Sequence, residues 1–324
     1  MSYVQELEGI SILCLRNCLL RIIWAAKTFI NRTIMLRESF VNKYNDEMVE
    51  AFRELFETCL NNMFHSGDLL LCQQNGTMFA GSAMIGLGEE GINSLQQINA
   101  LVYNGIGQLT NDDDYFKKNG NNFFQGTSEL ERTFQAEMKA YQDIWENLYF
   151  LRILTEIARV ANGERYDWQL DMYKLGNNKS NHIRDQIIKK LDVCPKFKNA
   201  LAIAYRRQVR NAIAHSQSHM IQGGIWFDNY KAVNKDEVRA IGFEEWEKIY
   251  CYSYFIFRGM FEHLTSIVQQ LYMPATRKTK TGGIPILCNF YDDNWGETYI
   301  YPYQNGQVWR FNRPDSAGGE GRMS

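Results

Sequence analysis

Apolar side chains recur at intervals of three and four residues along much of this 324-residue chain, and this spacing constrains the fold more than any other feature. Residues 4–63 contain no proline and carry two such series, one including Leu13, Leu20 and Trp24 and one including Phe52 and Phe56. Two long helices fit this stretch, with a break near 31–33 or 42–45. The pattern predicts a mainly α-helical protein.

A second helical block follows after residue 126. Thr127, Ser128 and Glu131 have the spacing of a capping box, and helical periodicity continues from there to Gly163, a natural C-terminal cap. This predicts one long helix over 129–162. Further helices are predicted over 180–191, 197–215 and 244–271, and together they would form a helical bundle.

Two short regions have the period of two that is typical of strands. After His219 the apolar residues alternate with polar ones, which predicts a β-hairpin; these residues are Ile221, Ile225 and Phe227 and then Val238, Ala240 and Ile241. Residues 286–291, 298–303 and 307–311 alternate in the same way, and Asn305–Gly306 is typical of a type I′ turn. A small C-terminal β-meander is therefore expected.

Composition changes mark the boundaries between these regions. Residues 64–126 hold ten glycines and repeated asparagines, which is typical of an insertion, and 273–284 combines glycine, proline and three cations as a linker would. The predicted organisation is N-terminal helices packing on the bundle (1–63), a Gly/Asn-rich insertion (64–126), a helical core (127–272), a linker (273–284), a small β appendage (285–314) and a disordered tail (315–324).

Charge and cysteine usage limit the cellular setting and the partners. A net charge of -2 argues against a generally basic surface, so any nucleic-acid contact must come from a local patch. Seven scattered cysteines without a CxxC pair are typical of reduced thiols in a cytoplasmic protein. Arg16 and Arg21 interrupt the apolar stretch near the N-terminus, so we expect neither a signal peptide nor a membrane contact.

One glycine motif resembles a nucleotide-binding loop. Gly86, Gly88 and Gly91 match GxGxxG, but no alternation of strands and helices follows, and Glu89 and Glu90 would face a pyrophosphate. We therefore expect a glycine-rich loop and no cofactor.

The densest cationic cluster stands at residues 206–210, just before His215. On a wheel of about 100° per residue, Arg210 and His215 lie roughly 140° apart with Asn211 and Ala214 between them, so they cannot touch within one helix. The predicted core face comprises Leu201, Ala202, Tyr205, Val209, Ala212 and Ile213, and the polar face comprises Arg207, Arg210, Asn211, Ala214 and His215.

The segment Arg210-Asn211-Ala212-Ile213-Ala214-His215 resembles the R-x4-H motif, with Asn directly after Arg, of the HEPN superfamily of helical ribonucleases and nucleotide-binding proteins. The resemblance covers the motif helix and a helical frame over roughly 127–272, and makes that core HEPN-like. It implies a homodimer in which two motif helices meet about a two-fold axis and pool their Arg and His into one RNA-cleaving cleft without metal. The sequence around His215 has no carboxylate cluster, in keeping with that expectation.

The resemblance implies Arg210, Asn211 and His215 as catalytic residues. Histidine can transfer protons at neutral pH, and a guanidinium suits the charge that develops on phosphate oxygens. Arg206 and Arg207 are expected to hold RNA phosphates without reading sequence, and His219 to be an auxiliary proton carrier or RNA contact. His215 and His219 have the spacing of a metal pair, but no third ligand is apparent, so we expect no metal.

Three functions remain open at this stage. The first is a metal-independent endoribonuclease leaving 2′,3′-cyclic phosphate ends, acting as a toxin or antiviral defence effector, with a regulatory protein as a possible partner. The second is a non-catalytic HEPN module that binds RNA or a nucleotide, or acts as a scaffold. The third is a purely structural helical protein. Some HEPN toxins are modified on a tyrosine two residues after the motif histidine, where this chain has Gln217.

Overall fold

A computed structural model describes residues 38–74, 84–85, 128–221, 223–234, 236–289, 295–303 and 308–311. These residues form a mainly helical protein with two small antiparallel sheets, as predicted. The helices are α1 (Glu38–Asn62), α2 (Asp68–Gln74), α3 (Ser128–Glu146), α4 (Leu148–Ala161), α5 (Lys179–His182), α6 (Pro195–Ala204), α7 (Arg207–Ala214), α8 (Phe243–Ile267) and α9 (Met273–Lys278). The strands are β1 (Met84–Ile85), β2 (Ser218–Ile221), β3 (Gly224–Phe227), β4 (Ala240–Gly242), β5 (Ile284–Asn289), β6 (Trp295–Tyr303) and β7 (Val308–Arg310).

Helix α8 lies at the centre of the bundle. It packs against α1, α2, α3 and α6, and its residues from Ile249 to Phe257 are all buried. A helix buried on every side needs apolar or aromatic residues all round, as this one has. The helical turn Val268–Tyr272 continues it directly into α9.

Helix α1 confirms that the second half of the 4–63 stretch is helical, whereas residues 1–37 lie outside the described ranges. It crosses α8 closely, because a Cβ at Gly259 would come within 2.5 Å of the Phe52 ring. The predicted insertion begins with a different structure from the one expected. Helix α2 is almost wholly buried against α4 and α8, so residues 68–74 belong to the core.

The long helix predicted over 129–162 is in fact two helices. Asn147 is extended at φ -69° and ψ 106°, and its side chain accepts a hydrogen bond from the Phe150 N–H at 2.9 Å. Asparagine is a favoured N-cap, so this residue ends α3 at Glu146 and begins α4. The predicted cap at the far end is confirmed, because Gly163 has φ +70° and its N–H donates to the Val160 carbonyl.

The helix predicted over 197–215 is also divided. Tyr205 and Arg206 are extended, separating α6 from α7. The freed backbone groups have tertiary partners: the Arg206 N–H donates to the Tyr141 hydroxyl at 3.2 Å, and the Ala204 carbonyl lies 3.1 Å from the Ser253 hydroxyl. A helix can end here without leaving unpaired polar groups. The prediction of Ala202 as a core residue was wrong, since it is exposed.

The hairpin predicted after His219 is confirmed, and a third strand extends it. Strands β2, β3 and β4 form an antiparallel sheet in that order, with His219 opposite Trp226 and Ile225 opposite Ile241. This sheet packs on α8 and follows the motif helix directly.

The C-terminal β-meander is confirmed as β5, β6 and β7. Strand β1, from the predicted insertion, adds to its edge by pairing antiparallel with β7. The linker predicted over 273–284 instead begins as helix α9, because the chain continues helically out of α8. The glycine motif at 86–91, the Asn305–Gly306 turn and the tail 315–324 lie outside the described residues.

Cysteines 59, 72, 194, 251 and 288 are buried free thiols. Within the described ranges, no helix has the length and apolar character needed to cross a membrane.

A buried carboxyl group makes stability depend on pH. Glu137 lies in the core, where its Oε2 accepts a hydrogen bond from Trp246 Nε1 at 2.7 Å, and burial raises its pKa from 4.5 to about 8. The folded state therefore keeps a proton that the unfolded state releases, so stability falls as the pH rises from about 4.5 to about 8. At pH 8 we expect the free energy of unfolding of Glu137→Gln, measured by urea denaturation, to exceed that of wild type by about 1–2 kcal/mol.

The exposed Glu244 on α8 offers a matched control, since Glu244→Gln makes the same substitution outside the core. Equal urea midpoints for wild type and Glu137→Gln at pH 8 would contradict this expectation, because they would show that ionisation of Glu137 does not lower the free energy of unfolding.

Candidate active site

Helix α7 holds the motif, and its C-terminal end fixes the position of His215. His215 is the C-cap, at φ -106° and ψ 13°, so it has left the helix and its wheel angle no longer applies. The Gln217 N–H donates to the Ala212 carbonyl and the Ser216 N–H to the Ile213 carbonyl. These two bonds form a Schellman motif, which orients the chain from α7 into β2.

Ser216 occupies the left-handed position of this motif, at φ +53°. Side chains other than glycine are disfavoured there by about 1 kcal/mol. We expect Ser216→Gly to raise the free energy of unfolding by about 0.5–1 kcal/mol and Ser216→Val to lower it by at least as much, measured by urea denaturation.

Gly163 provides the reciprocal control, because it holds the same place after α4 at φ +70°. Gly163→Ser should be destabilising. A Ser216→Gly chain no more stable than wild type would mean that the serine side chain compensates for its backbone strain.

A groove of about 1050 Å³ runs beside α7. Of the six residues predicted for the site, four line it: Arg206, Arg207, Asn211 and His215. His215 is exposed, and its side chain has no hydrogen bond or ion pair within the described part of the chain. Arg206, 4.0 Å from Glu245, and Arg207 are exposed as well. The groove therefore combines an accessible imidazole with two cations.

Arg210 does not line this groove. Its side chain is only 13% exposed, and its guanidinium forms an ion pair with Glu146 while Nη1 donates to Asn211 Oδ1 at 2.9 Å. Lys179 Nζ lies 2.5 Å from the other oxygen of Glu146, so one carboxylate joins two cations. The break at Asn147 places Glu146 at the end of α3 where this contact is possible. Arg210 thus contacts the groove through Asn211.

Residues 228–234 and 236–238 form the opposite wall of the groove, and Gln208 binds this wall to α7. The Gln208 side chain donates to the Val238 carbonyl at 2.7 Å and accepts from the Val238 N–H at 2.8 Å. Asn229 Nδ2 donates to the Gln208 carbonyl at 3.0 Å. These bonds imitate strand pairing and hold the two walls at a fixed separation.

His219 lies on β2 at the edge of this region. Its Nδ1 is 3.4 Å from Asp228 Oδ2, and its ring centroid is 6.4 Å from that of Trp226. Asp228 itself lines the groove. His219 is therefore connected to the groove through Asp228.

The electrostatics of the groove are mixed. Arg184 and Lys231 add positive charge to that of Arg206 and Arg207. Distant parts of the chain also bring four carboxylates to the lining of the groove, namely Asp228, Asp236, Glu237 and Glu245. Among the described residues, no three His, Cys, Asp or Glu side chains are grouped to hold a metal ion.

Sequence reasoning missed the residues that support the site. Glu146 and Lys179 are far from the motif in sequence, and nothing in their neighbourhood marks them as its partners. Gln208 lies inside the cationic cluster, but its role depends on a loop thirty residues further on. Asp228 directly follows a predicted strand, and functional polar residues often lie in the loops after strands. That position is the signal by which Asp228 could have been found.

Comparisons of the chain with protein-family models, with curated proteins and with solved structures find no match.

Proposed function

We propose that this chain is a HEPN-like, metal-independent endoribonuclease. The observation that carries the proposal is the groove itself, where Asn211 and His215 of the R-x4-H motif lie with Arg206 and Arg207. An imidazole able to transfer protons and guanidinium groups able to bind phosphates are what RNA cleavage through the 2′-hydroxyl requires. Growth arrest through RNA cleavage, as a toxin or defence effector, is the biological role we propose, under control of a regulatory protein.

The roles follow from exposure and contact. His215, exposed and unpaired within the described chain, is accessible to a substrate hydroxyl and acts in proton transfer. Arg206 and Arg207 hold backbone phosphates. Asn211, whose Oδ1 accepts from Arg210, orients its amide toward the imidazole or a phosphate.

Arg210 requires a second chain in this mechanism. It forms no hydrogen bond or ion pair with His215 and is held by Glu146, so within one chain it supports Asn211. We propose a homodimer in which two α7 helices face each other across Asn211 and Ala214, bringing the partner's His215 near Arg210. Asn211 and Ala214 are only partly buried, which leaves surface for such an approach.

The test uses purified protein with total RNA or tRNA in the presence of EDTA. We expect cleavage products with 2′,3′-cyclic phosphate and 5′-hydroxyl ends, and a dimer in sedimentation at the assay concentration. RNA that remains intact at high enzyme concentration, or a chain that stays monomeric while cleaving, would reject the corresponding part of the proposal.

One observation favours a second function, an RNA- or nucleotide-binding module without catalysis. The guanidinium of Arg210 is paired with Glu146, which leaves it less able to bind a phosphate and stabilise a transition state. Such a module would bind RNA with an affinity that falls steeply as salt rises, and leave the RNA intact. The same EDTA assay, combined with a salt titration of binding, separates the two functions.

A further inference from the structure

The two histidines near the groove differ in one respect that matters for proton transfer. His215 is exposed and has no side-chain partner among the described residues. His219 has a carboxylate, Asp228, 3.4 Å from Nδ1. Asp228 lines the groove together with His215, so the carboxylate links the second histidine to the same space.

The sheet register holds this second pair in place. His219 lies opposite Trp226 in the β2–β3 ladder, and Asp228 follows two residues after Trp226, on the same face of the sheet. The Asp228 N–H donates to the Gln217 carbonyl at 2.9 Å, which extends the ladder by one more bond. The His219 ring and the Asp228 carboxylate are thus diagonal neighbours, a spacing that long side chains can bridge.

We propose that His219, oriented by Asp228, is the general acid of the RNA cleavage reaction and that His215 is its general base. This assignment rests on the proposed function. The Asp228 carboxylate lies 3.4 Å from Nδ1, on one side of the ring, and leaves Nε2 on the other side as the nitrogen that gives the proton. His215, exposed in the groove and without a side-chain partner among the described residues, is accessible to the 2′-hydroxyl. One chain then supplies both proton transfers.

The reaction balances without a further reagent. The proton of the 2′-hydroxyl passes to His215 as O2′ forms a bond to phosphorus. The bond from phosphorus to O5′ breaks with its electron pair, and His219 Nε2 gives its proton to O5′. The products are a 2′,3′-cyclic phosphate and a 5′-hydroxyl, and exchange with water restores both histidines. The partner's His215 is then not needed as the acid, whereas Arg210 keeps the role proposed for the dimer.

The leaving group provides a direct test. An RNA oligonucleotide with sulfur in place of the bridging O5′ leaves as a thiolate, which needs no proton. We expect His219→Ala and His219→Gln to cleave ordinary RNA about 10²-fold more slowly than wild type and to cleave the sulfur substrate at nearly the wild-type rate. His215→Ala should be slow on both substrates, because the 2′-hydroxyl still has to lose its proton.

Asp228 is a positioning residue and needs its own readout. We expect Asp228→Asn to slow cleavage of ordinary RNA about tenfold and to leave the sulfur substrate unaffected, with Asp228→Glu restoring part of the rate. His65→Gln is the matched control, because His65 forms the other described histidine–carboxylate pair, 3.5 Å from Glu297, and does not line the groove. It should cleave both substrates normally.

The outcomes separate the two proposals. A wild-type chain that cleaves neither substrate rejects the proposed function and this assignment with it. A wild-type chain that cleaves both, while the His219 variants retain full activity on ordinary RNA or lose it equally on the two substrates, rejects this assignment alone. Circular dichroism of each variant confirms that the fold is retained.

Discussion

Replacing His215 by alanine is expected to lower the rate of RNA cleavage by about 10³-fold and to relieve growth arrest when the chain is expressed. The physical reason is the loss of the proton acceptor that faces the groove. The fold should survive, because the His215 side chain is exposed and makes no hydrogen bond or ion pair within the described structure. Rates are measured with a labelled RNA in EDTA, and folding by thermal unfolding of the same preparations.

The histidines elsewhere in the chain provide the controls. His182 Nε2 lies 2.9 Å from the Thr155 hydroxyl, and His263 is stacked on Phe52, with its pKa lowered to about 4 by burial. His182→Gln should cleave normally, and a substitution of His263 should act on stability. Cleavage that persists in His215→Ala would place the reaction outside the motif helix.

Much of the fold follows from periodicity, and the exceptions have tertiary causes. Helices α1, α4 and α8 and both sheets lie where the spacing of apolar residues predicts them. The spacing does not predict the break before α7, because this break depends on Tyr141 and Ser253. Both are distant in sequence and supply hydrogen-bond partners for the backbone at residues 204–206. The break at Asn147 has a local cause, an asparagine cap, but one asparagine inside a helical pattern is a weak signal.

The site shows the same division between local and long-range information. Arg206, Arg207, Asn211 and His215 are close in sequence, and their common surface could be predicted from it. The opposite wall of the groove could not be predicted, since it comes from residues 228–234 and 236–238 and is attached to α7 by one glutamine. The left-handed Ser216 was also unpredictable, because this position normally selects glycine. The catalytic roles themselves stay predictions.

The contact between Arg210 and Glu146 gives the other large expected effect. Arg210→Ala should lower cleavage by about 10²–10³-fold, because it removes both a guanidinium and the hydrogen bond that holds Asn211. Arg210→Lys should lose most of that rate as well, since an ammonium cannot bind Glu146 and Asn211 in the same planar geometry. Cleavage of the labelled RNA in EDTA measures both variants.

Stability tests whether the ion pair exists in solution. Glu146→Ala leaves a guanidinium that is 13% exposed beside Lys179, without its carboxylate, so we expect a loss of about 1–3 kcal/mol in the free energy of unfolding. The double substitution with Arg210→Ala should cost less than the sum of the single ones, with a coupling of about 1–2 kcal/mol. Lys139 and Asp143, an i,i+4 pair on the same helix with Lys139 57% exposed, form the control cycle, where about 0.3–0.5 kcal/mol is expected. A coupling between Arg210 and Glu146 no larger than that would mean that the arginine is free to reach the groove, and that its role in the dimer needs no support from α3.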